Sequence, residues 1–415
     1  MTLEIKHRIE QIRRGEVPEG YVKTALGLAP ANWKRYTFGD IYTERKEPGD
    51  ENLPLLMVSI HSGVSDGEVD AAELPKQVKR IEDKSQYKKA VSGDLVFNMM
   101  RAWQGAIGTV RTTGMVSPAY IVAEPNDKAY PLFMDYYSRT PQMINQIDRQ
   151  SYGVTDFRKR LYWDSFAPIS CTLPPIEEQQ KIAAILTTQD RVIELKEKCL
   201  AEKQRQKKYL MQQLLTGKKR LPGFNGAWKT DCLGKLFFER KETNCENIEM
   251  LAITGTQGII PRKELDLKDN SSEDKSKYWR VCVGDIGYNT MRMWQGVSAY
   301  SNYEGIVSPA YTILKPSSSI NAKYFAYLFK MSEIVFLFYR FSQGLVDDTR
   351  NLKYENFKKI KVCYPPDIKE QTAIAEVLSA ADREIELLQQ DIEQEKQKKK
   401  ALMQLLLMGI VRVKI

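Results

Sequence analysis

One long helical pattern occurs twice in this 415-residue sequence, and it constrains the fold more than any other feature. Residues 174–217 and 365–409 align without a gap from Gln179 and Gln371 onward, at a shift of 192 residues. An apolar seam runs through the first copy as Ile182, Leu186, Gln189, Ile193, Lys196, Leu200, Lys203, Lys207, Leu210 and Leu214. In the second copy it runs as Ile374, Leu378, Ala381, Ile385, Leu388, Ile392, Glu395, Lys399, Leu402 and Leu406. Both alternate steps of four and three, the spacing that keeps one helix stripe against a partner helix. Each copy follows a proline pair, opens with acidic residues and stops at glycine (Gly217, Gly409), as helix termini favour. At 1.5 Å per residue, each makes a rod of roughly 60 Å. A parallel pair in register sets Lys207 beside Lys399. An antiparallel pair sets Lys207 against Ala381 and Lys203 against Ile385, where lysine stems lie along the seam and their ammonium groups reach water. The antiparallel coiled coil is therefore expected; the alternative is that each helix packs separately on its own globule.

The rest of the chain is duplicated as well. Residues 87–120 and 278–311 share fifteen of thirty-four positions at a shift of 191, including Asn98, Met100, Arg101, Trp103, Gln104 and Gly105 and the run VSPAY at 116–120. Trp33, Lys34, Gly39 and Glu44–Glu47 recur as Trp228, Lys229, Gly234 and Glu239–Glu242. Gly153, Asp156, Leu161 and Phe166 recur as Gly344, Asp347, Leu352 and Phe357. Short β-branched and aromatic runs such as LPLLMVSI, GDLVFN and AYIVAEP, bounded by Gly, Pro and Asp, read as strands. The stretches 131–150 and 323–341 read as helices. The expected fold is α+β: two mixed α/β globules at 26–173 and 221–364, rods at 174–220 and 365–415, and an internal pseudo-twofold repeat. Residues 1–25 form a helical stub in which Ile9, Gln11, Ile12 and Gly15 match the end of the first rod. It either completes the end of the second rod or is a plain amphipathic arm.

Composition narrows the functional classes. A net charge of +9 favours a polyanionic partner. The six cysteines are scattered, with no CxxC, which fits reduced thiols in the cytoplasm. No apolar run reaches membrane-spanning length. The two histidines, His7 and His61, do not recur in the other half, so a histidine-based triad or metal site present in both is excluded. There is no phosphate-cradling G-x-x-x-x-G-K-[ST] loop. The remaining catalytic pattern is E-x-K, at Glu82–Lys84 and Glu273–Lys275 with Asp70 and Asp266 upstream. It resembles a magnesium-dependent nuclease site, but the upstream spacing differs between the halves.

What remains is a binding surface. Arg101 and Gln104, with Arg292 and Gln295, carry the groups that read base edges: arginine donates two hydrogen bonds to guanine, and glutamine pairs with adenine. Trp103, Trp294, Tyr120 and Tyr311 stack or brace the loop; the alternative is that the tryptophan is core and the arginine a structural hydrogen-bonder. A second candidate is the loop before each rod, where Arg158, Lys159, Arg160 and Arg350 suit phosphates, which position a protein on DNA, and Asn351 suits phosphate or base.

These features together resemble the specificity subunit of type I restriction–modification systems. The resemblance rests on the PP-x-x-EQ-x-x-I-x-x-x-L-x-x-x-D helix openings, the W-K…G…ER-K segments, the G-D-[LI] strands followed by MR-x-WQG, and VSPAY. The second helix opening departs by one extra residue (PPDIKEQ against PPIEEQ). The resemblance implies two target recognition domains, each reading half of a split site in double-stranded DNA, with the paired helices as a ruler. It also implies two methyltransferase subunits bringing S-adenosylmethionine and two restriction subunits bringing ATP and magnesium, with no cofactor or catalysis on this chain. The other readings are a freestanding coiled-coil DNA-binding or scaffold protein, and the nuclease. If bases are read from the shared MR-x-WQG segment, the half-sites are alike; if from the divergent 61–81 and 256–272, they differ.

Overall fold

The computed structural model describes residues 3–24, 27–50, 52–60, 63–65, 86–155, 158–245, 248–255, 257–265 and 274–413, with only the backbone of Asp348. His61, the pair Asp70 and Asp266, Glu82–Lys84 and Glu273, and nearly all of 61–81, lie outside the described residues. The chain divides into two compact units, Met1–Lys196 with Asp391–Ile415, and Glu197–Gln390. Each unit thus takes part of both long helices, which span Ile176–Leu214 and Ile368–Leu407.

In the first unit a four-stranded antiparallel sheet has the order 42–44, 120–125, 95–98, 107–109. A second pair, Lys34–Thr37 with Ser170–Leu173, ties the start of the globule to the strand that enters the rod. Of the expected strand at 53–60, Val58–Ser59 pairs with Gly63–Val64, and Leu55 forms an isolated parallel bridge with Met115. Upstream, the Pro54 carbonyl instead accepts from the Met115 amide at 2.8 Å. The expected helix at 131–150 is two helices, Pro131–Tyr137 and Pro141–Gln150. Thr140 caps the second by accepting from Met143 N, and Pro141, with no N–H to satisfy, begins it.

The second unit has the same sheet order in 237–239, 311–316, 286–289 and 298–300, and the same closing pair, Lys229–Cys232 with Lys361–Tyr364. Its helical stretch also divides, into Ala322–Leu328 and Ser332–Phe341. Here no proline marks the break.

The helices join these units at two levels. Their ends are globule core. Ile182, Ala183 and Leu186 are buried with Leu406 and Leu407 among Phe38, Phe97, Phe133 and Phe166 in the first unit. Ile374, Ala375 and Leu378 are buried with Leu214 and Leu215 among Phe237, Phe325 and Phe357 in the second. Nearer their middles the helices pair. In the first unit Gln189 Nε2 donates to Glu395 Oε2 at 2.6 Å, and Lys196 bridges Asp391 (2.7 Å) and Glu395 (3.0 Å). In the second, Lys203 meets Glu384 at 2.8 Å and Lys207 pairs with Asp382. Residue numbers rise on one helix as they fall on the other, so the pairing is antiparallel. Ile193 and Ile392 are buried on the seam, and Leu200, Leu210, Ile385, Leu388 and Leu402 are half-buried while most of their flanking residues are exposed.

The seam lysines also reach the globule. Tyr136 Oη donates to Asp190 at 2.6 Å, and Asp190 is paired with Lys399, whose ammonium lies 5.5 Å from the Tyr136 ring centre. Tyr327, Asp382 and Lys207 repeat this three-way joint in the second unit.

At each rod end the tie is a buried ion pair. Glu178, fully buried, takes two hydrogen bonds from Arg412, at 2.6 and 2.8 Å, and a longer one from Trp33 Nε1 at 3.3 Å. Glu370 takes two from Arg220, at 2.6 and 2.7 Å, and that guanidinium lies over the Trp228 ring. The adjacent Gln179 and Gln371 accept from the Tyr130 and Asn321 amides and donate to the Pro174 and Pro365 carbonyls. The N-terminal helix, Leu3–Arg13, buries no residue; it is tied to the second rod's end by Arg8 donating to the Ile410 carbonyl and Tyr21 to that of Gly409.

Two outcomes follow. Glu178→Ala or Arg412→Ala strands one partner of a bidentate pair. Urea unfolding of the first unit should show a loss of about 3 kcal/mol, the low end for such pairs because the arginine is partly exposed; a loss under about 1 kcal/mol would show the pair to be incidental. The Glu395 carboxyl is pulled down to about 2 by its hydrogen bond from Gln189, with Lys196 and Lys398 adding. A depressed carboxyl contributes stability above its unfolded pKa and loses it as the pH falls toward the folded value. Melting the chain beside Glu395→Gln should therefore show a gap at neutral pH that closes as the pH falls from about 4.5 toward 2. A gap that persists at the acid end would contradict it.

Candidate nucleic-acid interface

The recurrent M-R-x-W-Q-G segment folds as a tight turn between two sheet strands. In the first unit Asn98 Oδ1 accepts from the Met100 amide (2.9 Å), and Trp103 Nε1 donates to the Met100 carbonyl (3.0 Å). A single 3-10 turn, Ala102–Gln104, ends at Gly105 with φ +102°, a left-handed backbone that favours glycine. Asn289, Met291 and Trp294 make the same two bonds at 3.0 and 2.9 Å, and Gly296 has φ +80°.

This frame sorts the side chains. Ala102 and Met293 are fully buried beneath the turn. Trp103 and Trp294 are half-buried braces. Arg101 and Gln104, and Arg292 and Gln295, are exposed, and their side chains have no hydrogen-bond or ion-pair partner among the described residues. Among the described residues, nothing gives the Arg101 side chain the structural hydrogen bond considered for it. Other arginines here are held: Arg45 and Arg240 each grip a buried aspartate, Asp94 and Asp285, through two nitrogens. Tyr120 and Tyr311 stand opposite Asn98 and Asn289 across the strands and pack on small aliphatic clusters, so they brace the sheet.

The second candidate loop lies beside the first. The Leu161 amide donates to the Met99 carbonyl at 2.9 Å, and that of Leu352 to Thr290 at 2.8 Å. Each loop is closed by a bridge, Tyr152 with Arg160 and Gln343 with Asn351. The recurrent glycines allow this closure: a Cβ on Gly153 would sit 2.4 Å from the Arg158 carbonyl oxygen, and one on Gly344 2.6 Å from that of Thr349.

Most of the loop's charges are engaged by neighbouring groups. Lys159 pairs with Asp148 at 2.7 Å and lies 5.0 Å from the Trp103 ring centre. Arg350 pairs with Asp347, donates to Tyr339 Oη and covers that ring, which stands edge-on to Trp294. Arg160 is half-buried and donates to the Lys159 carbonyl. Asn351 turns inward, its Oδ1 buried without a partner. Arg158 alone in the row is exposed with no side-chain partner among the described residues. The two candidates thus form one surface in each unit, the turn propped by the loop.

Several residues of that surface escaped the sequence reading. Met100 and Met291 are exposed beside the arginines, and Val154 and Leu345 stand 92% and 100% exposed at the loop tips. Their signal was present, a large apolar residue after each recurrent glycine. Lys330 is exposed along its length, but its ammonium turns in to donate to the Gly296 and Ser298 carbonyls beneath the second turn. Burial, with help from the Lys207 charge, pulls its ammonium down to about 8.

Among the described residues no cluster of His, Cys, Asp and Glu is arranged to hold a metal ion, and no helix is long and apolar enough to cross a membrane. Of the nuclease pattern, Asp274 and Lys275 are described, and Asp274 accepts from the Ser276 amide at 2.9 Å.

Comparison with known proteins accounts for the duplicated architecture. Residues 72–205 and 234–397 match the family described as type I restriction modification DNA specificity domain. A putative type I restriction enzyme MjaX specificity subunit from Methanocaldococcus jannaschii is 23% identical, over 95% of this chain and 97% of that protein. The S subunit of the type I restriction–modification system of M. genitalium superposes with a TM-score of 0.56 at 12% identity, over 92% of this chain and 97% of that one. A chain from a study of complex assembly and conformational transition in a type I R-M system superposes at 0.53 and 16%, over 92% and 99%. Neither the freestanding scaffold nor the nuclease is favoured by these likenesses. With both halves of the chain matched, the protein belongs to the type I restriction–modification DNA specificity family, as a non-catalytic subunit that supplies DNA sequence specificity within such a complex.

Proposed function

We propose that each unit reads one half of a bipartite DNA site through its M-R-x-W-Q-G turn, with Arg101 and Gln104 in one and Arg292 and Gln295 in the other at base edges. The observation that carries this reading is the pair of exposed side chains, unpartnered among the described residues, on a turn that an asparagine and a tryptophan hydrogen bond fix alike in each unit. Free guanidinium and amide groups on a rigid frame suit direct readout in the major groove. Arg158 adds a phosphate contact beside the first turn, while Lys159, Arg160, Arg350 and Asn351 hold the propping loop. The domain limits that go with this reading are 1–25 for the stub, 26–173 and 221–364 for the target recognition domains, and 174–220 and 365–415 for the spacer helices.

The spacer helices set the gap between half-sites and dock two methyltransferase subunits, to which two restriction subunits are added. S-adenosylmethionine, ATP and magnesium belong to those partners, and the assembly works in the cytoplasm. This division suits a chain whose polar clusters are consumed in holding its own shape.

Co-purification with its methyltransferase subunit, followed by DNA binding across a salt series, tests the proposal. Affinity should fall steeply with salt, and Arg158→Ala should weaken all sequences alike and reduce the log–log slope by about 1. Arg101→Ala should remove about 1–3 kcal/mol from the specific site and little from unrelated DNA. A flat salt response would count against the interface; failure to associate with the methyltransferase would count against the assembly.

A further inference from the structure

Building on the proposed readout, we infer that the two DNA half-sites share a short common element containing guanine and adenine, read by the same three exposed side chains in each unit. The argument comes from which residues of the turn are kept and which vary. Its outward set is identical: Met100, Arg101 and Gln104 against Met291, Arg292 and Gln295. Of its buried residues the glycine is kept for its left-handed backbone, while the side chain that packs into the core is not, Ala102 corresponding to Met293, both fully buried. A segment kept only to preserve packing would hold its buried residue at least as firmly as its exposed ones.

The geometry beneath those side chains is also the same. Arg101 and Arg292 have φ/ψ of −132°/6° and −126°/1°. The Asn–Met and Trp–Met bonds that fix the turn agree within a tenth of an ångström (2.9 and 3.0 Å; 3.0 and 2.9 Å). Two equal frames therefore offer equal donors in equal directions. Arginine selects guanine through its O6 and N7, and glutamine selects adenine through its N6 and N7. The flanking methionine gives an apolar surface for a thymine methyl or a neighbouring base edge.

The adjacent loop tips differ. Val154 and Thr155 stand where the second unit has Leu345 and Val346, and Arg158 and Arg160 where it has Thr349 and Asn351. The half-sites are accordingly related and not identical: alike where the turn reads, different where the tips reach.

The test is to express the chain with its methyltransferase subunits in a host free of DNA methylation and map modified adenines genome-wide. The expected motif has two halves that share, beyond the modified adenine, at least one G·C pair at the same distance from the modified base. Arg101→Gln should relax the shared G·C position in one half only, by on the order of ten-fold in discrimination, and Arg292→Gln in the other half only. Each variant controls for the folding of the other, because the untouched half keeps its specificity. Robust methylation at a bipartite motif whose halves share no G·C pair at equal distance from the modified adenine would overturn the inference and leave the proposed function standing. Loss of methylation in Arg101→Gln that is uniform across sites, with an unchanged motif, would assign the arginine to phosphate and also overturn it. No methylation by the intact complex would overturn the proposed function and this inference with it.

Discussion

The architecture depends on a buried carboxylate at the start of each long helix meeting an arginine just beyond the end of the other. Glu178 with Arg412 and Glu370 with Arg220 are bidentate pairs whose carboxylates have almost no access to water. A carboxylate buried alone is costly enough to force a partner, and a planar guanidinium fits it with two parallel hydrogen bonds. Start-to-end pairing of this kind is possible only when the two helices run in opposite directions. The tie therefore selects the antiparallel arrangement, while hydrophobic contact along the seam favours both directions nearly equally.

The remaining polar contacts refine register. Gln189 and Glu395 occupy apolar positions of the seam and satisfy one another across it, a device that costs stability and specifies alignment. Lys207 and Lys399 extend from the seam to an aspartate on the opposite helix and a tyrosine of the globule. One cation thus couples three elements, so a shift of either helix by one turn would break contacts with the globule as well as with its partner helix.

Much of this was legible in the sequence, and the part that was not has a physical reason. The seam was readable because a 4-3 apolar spacing leaves periodic traces, and all its positions lie on the least exposed stripe of the helices. The joint was not, because Glu178 and Arg412 are 234 residues apart and Arg412 follows a helix-ending glycine, where no periodicity applies. The choice between paired helices and helices packed on their own globules was too sharp: the ends are core and the middles pair. In the candidate interface, the type and recurrence of Arg101 and Gln104 were legible. The ion pairs and ring contacts of Lys159 and Arg350 were not, because a basic residue in a loop carries no mark of whether an aspartate and an aromatic ring wait beside it. Val154 and Leu345 were passed over because apolar residues are assigned inward by default, and only coordinates show them standing out.

The contrast between engaged and unengaged arginines explains why a specificity subunit spends so many polar residues on itself. A base-reading side chain discriminates only if its backbone cannot shift to accommodate the wrong base, since on a fixed frame a mismatched hydrogen bond is lost instead of lengthened. Asn98, Trp103, Lys159 and Asp148 hold the first turn from three sides. Asn289 and Trp294 hold the second in the same way, with Tyr339, Arg350 and Lys330 where the first has Lys159 and Asp148. The inner bonds are shared, the outer braces differ, and each unit presents the same side chains. That is the pattern expected when the outward chemistry is what must be kept and the means of bracing it is free to vary.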